Sequence, residues 1–194
     1  MTFYYQGAAI LAPFTITSNE PTYETDTVSL VKQRASQGAQ RWEMTFSTMG
    51  SADTEAQMLV SAITNLTTSA TLIMPQIPSV VAGNTSSVSL VINANAAAGV
   101  SAVTIVNDGT LKQGSFIKFS NSDKVYMVTA DAVAGTVAVS IYPRLRTAVT
   151  TSDMMRTGDS ALFTYYRDIN SLKGLTYSDG LLSNSGTITL IEAV

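Results

Sequence analysis

"VKQRASQGAQRWEMTFSTM", residues 31–49, holds the single tryptophan of the chain. Trp42 lies between Arg41 and Glu43, just after a Ser-Gln-Gly break. From Gln40 the residues alternate. Gln40, Trp42, Met44 and Phe46 fall on one side, and Arg41, Glu43, Thr45 and Ser47 fall on the other. A period of two with the bulky side chains on one face marks a half-buried strand. Residues 27–35, "TVSLVKQRA", alternate as well, and "SQG" separates the two runs. The pattern therefore predicts a hairpin with Gly38 in its turn. Trp42, Met44 and Phe46 are expected in the core rather than on a ligand groove.

Beyond this strand the period changes. In "GSADTEAQMLVSAITNL", Ser51 or Asp53 can cap a first turn, with Glu55 near its positive end. Met58, Leu59, Ala62, Ile63 and Leu66 follow at helical spacing. The spacing predicts an amphipathic helix over 52–66 that packs on the sheet, with Leu59 and Ile63 in the core and Trp42 between helix and sheet. Residues 70–78, "ATLIMPQIP", read as a strand ended by prolines.

Residues 79–100 are small, polar and Ala-rich, as in a linker. Short strand-like runs follow, among them "SAVTIV", "SFIKFS", "KVYMVTADA" and "TVAVSIYPRLR". Asn107-Asp108-Gly109, Gly114, Asn121-Ser122-Asp123 and Gly135 separate them. Several short strands so closely spaced predict a small antiparallel barrel or sandwich. The expected organisation is an inserted β-module over 83–148, with Ile117, Val125 and Met127 in its own core, carried by a unit formed from 1–82 and 149–194. The return passes through "TTSDMMRTGDS", read as a loop, to strands at 161–169 and 186–194.

Composition narrows function. The 194 residues are 45% hydrophobic and only 13% charged, with a net charge of −3. Ordinary soluble domains carry about 25% charged residues. The surface is therefore built largely of Ser, Thr, Asn, Gln and Ala, and is poorly protected against association. No Lys/Arg run gives an electrostatic footprint for nucleic acid. No apolar stretch approaches the ~18 residues of a membrane helix, and the N-terminal "MTFYYQGAAILAPF" lacks the basic region of a signal peptide. His and Cys are absent. A Ser-His-Asp or Cys-His arrangement is thus impossible, and a zinc site of the usual kind is not expected. Most Asp and Glu residues sit in turn contexts. Glu43 lies in a strand beside an aromatic, but Arg34 or Arg41 would hold it as a structural carboxylate. No phosphate loop, dinucleotide fingerprint or calcium loop occurs. The expectation is no catalytic, cofactor or metal residue. "FTYYRD" (163–168) could stack on a sugar, although a strand with tyrosines facing its neighbours accounts for it as well.

Three segments, in order, carry a resemblance. "RASQGAQRWEMTFSTM" (34–49), followed by a packing helix, resembles a pattern of bacteriophage tail structural proteins. "GTLKQGSFIKFSNSDKVYMVTADA" (109–132), followed by "IYPRLR" (141–146), is similar to an inserted β-module of the same proteins. The C-terminal strand is the third. The resemblance implies a mainly β fold: a tail-tube-like β-sandwich with one packed α-helix and an inserted small antiparallel barrel. It implies a virion component of the distal-tail or baseplate-hub kind, built in the host cytoplasm as a homo-oligomeric ring with six-fold symmetry favoured. Such a subunit would join the tail tube to the tip or fibre apparatus, with other tail, hub or fibre proteins as partners. A carbohydrate-binding adhesin module at the tail tip is the alternative. The subunit interface is expected at the N-terminal arm, around Phe3, Tyr4 and Tyr5, and at the loops 18–26, 149–159 and 170–185.

Overall fold

The computed structural model describes residues 4–5, 8–26, 32–36, 38–48, 56, 68–171, 176–178, 181–184 and 186–194. The chain is mainly β. Its elements begin with β1 (Tyr4–Tyr5), β2 (Ala8–Asn19), β3 (Thr22–Asp26), β4 (Lys32–Ser36), β5 (Arg41–Thr48) and β6 (Ala70–Ile73). A short helix, α1 (Pro78–Gly83), leads to β7 (Ser89–Ile92), β8 (Ala102–Asn107), β9 (Phe116–Phe119), β10 (Val125–Val128), β11 (Gly135–Tyr142) and β12 (Met154–Thr157). β13 (Leu162–Arg167), β14 (Thr176–Ser178), β15 (Leu181–Asn184) and β16 (Ile188–Glu192) complete the chain. The helix expected over 52–66, and with it Leu59 and Ile63, lies outside the described residues apart from Ala56.

The body is a six-stranded antiparallel sheet in the order β1-β2-β5-β16-β13-β6. β5 lies inside it because every second side chain is apolar and buried: Trp42, Met44 and Phe46 are 5, 0 and 2% exposed. Ile188, Leu190, Phe163, Tyr165 and Leu72 extend the same apolar cluster. Tyr5, expected on an interface arm, is also fully buried there, with its ring 5.4 Å from that of Phe46. Its ring packs in the chain's own core rather than on an arm.

The expected hairpin between residues 27–35 and 39–49 does not form. β5 pairs instead with β2 and β16, while β4 pairs with β3 in a separate two-stranded ribbon. Charge explains the choice. Lys32 and Arg34 alternate along β4 and meet Glu24 on β3 at 2.7 and 3.2 Å. The one carboxylate of β5, Glu43, is already paired with Arg41 at 3.1 Å. All ten ribbon residues are exposed. The segment 170–185, read as a loop, contains the β14–β15 pair.

The second unit is a closed six-stranded barrel in the order β10-β11-β8-β7-β12-β9. Its interior holds Leu90, Ile92, Val103, Ile105, Ile117, Phe119, Tyr126, Val128, Val139 and Met155. The barrel runs beyond the expected limit of 148. β12, read as part of a loop, closes it between β7 and β9, with Met155 and Thr157 inward and Met154 and Arg156 outward. β7 was likewise hidden in what reads as a linker. One glycine is required by close approach: a Cβ on Gly109 would stand 2.5 Å from the backbone carbonyl of Thr85.

Val125 and Met127 do not belong to the barrel interior. They face the sheet and join its cluster, while Tyr126 and Val128 on the same strand point inward. β10 is apolar on both faces, so alternation alone does not say which face is which.

Candidate functional site

Aromatic, ionic and hydrogen-bonded contacts join the sheet to the barrel. Trp42 faces it. The indole ring meets Phe116 edge-on at 5.5 Å and Tyr142 at 6.1 Å, both from the barrel. Its N–H donates to the Val125 carbonyl at 2.8 Å. Trp42 therefore packs between sheet and barrel, where the sequence pattern expects it between sheet and helix. Edge-to-face pairs of this kind add about 0.5–1.5 kcal/mol beyond the buried area.

Beside Trp42 lies a buried ion pair. Glu192, on the Ile188–Leu190 face of β16, is fully buried, and so is Lys124, just before β10. The Glu192 carboxylate accepts from the Trp42 amide at 3.0 Å and the Val125 amide at 2.7 Å, and also from Lys124 Nζ. One side chain thus holds a sheet strand and a barrel strand at once. Burial pushes the Lys124 pKa below its usual value, and the neighbouring Glu192 draws it part of the way back. A buried pair of this kind is tolerable only when further hydrogen bonds satisfy it, and here both carboxylate oxygens and two of the three ammonium protons have partners.

A polar relay runs on from Lys124. Its Nζ donates to Gln40 Oε1 at 2.6 Å, and Gln40 Nε2 donates to Ser18 Oγ at 2.9 Å. Ser18 lies 3.0 Å from the Tyr142 hydroxyl, which donates to Glu20 Oε2 at 2.8 Å. Because the Tyr142 proton is committed to Glu20, Ser18 must be the donor to Tyr142. Every donor in the chain then points the same way, an arrangement in which successive bonds polarise one another. Ser36, at the base of the ribbon, bonds Glu20 at the far end. The bonds from Ser36 and Tyr142 hold the Glu20 carboxyl below its usual pKa, while burial raises that of Tyr142. A cleft of about 420 Å³ opens there, lined by Glu20, Ser36, Gln40, Tyr142 and Arg144 among others. A second tie joins β9 to β13: Lys118 Nζ reaches Asp123 at 2.7 Å and Thr164 at 3.2 Å.

This geometry fixes one unit against another. Tyr142 keeps its proton, and each carboxylate of the seam is occupied by a neighbour. Among the described residues no group of three or more acidic or other metal-ligating side chains could hold a metal ion, and no helix is long and apolar enough to cross a membrane. Trp42, Met44 and Phe46 share the apolar face at the seam. Phe3, from the expected interface, lies outside the described residues. Sequence reasoning missed Lys124, Glu192, Gln40 and Tyr142. The available signal was Glu192 itself, a charge on the apolar side of an alternating strand.

A six-stranded sheet and a closed barrel thus meet at a polar and aromatic seam. Residues 78–158 match the family model described as "Distal tail protein pb9, B domain". The match runs from α1 through β12 and so coincides with the barrel. The match covers less than half of the chain and makes its barrel similar to a domain of a phage distal tail protein. No curated protein matches the chain.

Proposed function

We propose that the chain is a ring-forming subunit at the distal end of a phage tail or its baseplate. It acts as a scaffold without catalysis and links the tail tube to the tip or fibre apparatus. The observation that carries this reading is the match of the barrel to the B domain of a distal tail protein. The β3–β4 ribbon supports assembly. An isolated two-stranded ribbon is marginal in water, and this one has all its residues exposed, with Tyr23 at 69%. A neighbouring subunit would cover it through the heterologous contact that closes a ring. Six copies are favoured, as the resemblance implies. The adhesin alternative finds less support. Trp42 is buried, and the exposed Tyr23 and Tyr166 lie on different elements, the ribbon and β13. Immunogold electron microscopy with an antibody to the barrel tests the assignment. Gold at the distal end of the tail supports it, and label on the capsid or absent from virions overturns it.

A further inference from the structure

The barrel turns β9 and β10 towards the sheet, as Phe116, Val125 and Met127 show. In the closed order, β7 and β8 lie diametrically opposite. On that far side Met154, Val91 and Val106 stand 47, 51 and 45% exposed. They are direct register partners across three strands: Met154 opposite Val91, and Val91 opposite Val106. Thr136 continues the row on β11. The outward neighbours Thr104 and Ala138 are uncharged. An exposed centre without charge is the compositional mark of an interface core.

The charges lie in the adjacent row. Arg156 is opposite Ser89 on one side, and the exposed Asp108, in the turn just beyond the end of β8 and two residues after Val106, lies on the other, its carboxylate accepting from the Ser87 amide and hydroxyl. One strand separates them, which puts them roughly 10 Å apart. Arg156 makes no ion pair among the described residues. Its register partner across the β12–β9 pair is Lys118, a like charge, and like charges directly opposite are unfavourable. Lys118 is matched by Asp123, which leaves Arg156 as the cation in need of an anion.

We propose that this face is a two-fold docking surface for a second copy of the chain. A second copy is turned over about an axis parallel to β7 that lies between the two faces. That rotation sets Val91 over its own equivalent and Met154 over Val106 of the other copy. It also sets Arg156 over Asp108 of the other copy, twice. The apolar row and the flanking charges are thus self-complementary, which is the requirement of an isologous contact. The outer face of a barrel is convex, so the contact is small and belongs to the weak class below ~1,200 Å². It is distinct from the heterologous contacts of a ring and does not depend on the tail reading.

Analytical ultracentrifugation of the whole chain tests it. The expected result is a monomer–dimer equilibrium whose dissociation constant rises at least about tenfold in Val91→Glu, Arg156→Asp and Asp108→Arg. The double swap R156D/D108R should return it towards the starting value. Val91 and Arg156 are exposed, so their variants fold, and circular dichroism checks this. A chain that stays monomeric at every concentration overturns the surface. So do oligomers that ignore Val91→Glu, or a double swap without recovery, including the case in which the face takes a different protein. None of these results moves the label in the immunogold experiment.

Discussion

Removing both members of the Lys124–Glu192 pair should cost far less than the sum of removing each alone. Three donors converge on the Glu192 carboxylate: two backbone amides, at 3.0 and 2.7 Å, and the Lys124 ammonium. Glu192→Gln keeps one acceptor and turns the other into a donor, so one of the three loses its partner and the buried ammonium loses its counter-charge. Breaking a buried pair in this way costs about 3–5 kcal/mol, which already includes the ~1–3 kcal/mol of an orphaned polar group. Lys124→Met leaves the carboxylate uncompensated and Gln40 Oε1 without its donor, at a similar cost. The double variant buries no lone charge, and its amide oxygen can still accept from Trp42 or Val125. It should lose only about 2–4 kcal/mol, so the coupling between the two sites is about 2 kcal/mol or more. Urea unfolding at neutral pH measures this, followed by the fluorescence of Trp42, the sole tryptophan and a direct reporter of the seam. If the double variant loses the sum of the single losses to within ~0.5 kcal/mol, the two residues act independently and the seam has been misread.

Three further outcomes are expected. Trp42→Ala should lower stability by ~3–5 kcal/mol through the cavity it leaves. Trp42→Phe keeps an aromatic ring but orphans the Val125 carbonyl, at a cost of ~1–3 kcal/mol; calorimetry separates the two, and a Trp42→Phe variant as stable as the parent would argue against the indole hydrogen bond. The excised segment 78–158 should unfold cooperatively, because its interior is complete without the sheet; a non-cooperative transition by circular dichroism would mean that the barrel depends on the sheet. Burial raises the pKa of Tyr5, Tyr126 and Tyr165 above the ordinary 10.0. Above about pH 10 the unfolded chain therefore holds fewer protons on these groups than the folded one, and stability falls as pH rises. Lys124, shifted down, works in the opposite direction below its ordinary 10.5. Absorbance titration should show these tyrosines ionising together with loss of structure, and their early, reversible ionisation would contradict the burial.

What could be read from the sequence follows from how each strand is buried. β5 is buried on one strong face, so "RWEMTFST" declared itself. The barrel was legible as a series of short strands with turn residues between them. β12 was not, because "MMRT" carries two inward positions and reads like the polar loop around it. Which core Val125 and Met127 join is not legible, because both faces of β10 are apolar. The ribbon partner of Lys32–Ser36 was missed because hydrophobic alternation says nothing about where Lys32 and Arg34 find Glu24. The seam was the least legible part. Lys124 and Glu192 lie 67 residues or more apart from most of their partners in the chain, and no local pattern links such charges.

The most direct test of the tail assignment is a cryo-electron microscopy reconstruction of the distal tail of the encoding virion, with this chain traced into density. The account expects a closed ring of copies, six-fold favoured, with the barrel held against the sheet at Trp42 and the β3–β4 ribbon laid against a neighbouring subunit. A map that places the chain away from the tail, or shows it as a single unassembled copy, would contradict it.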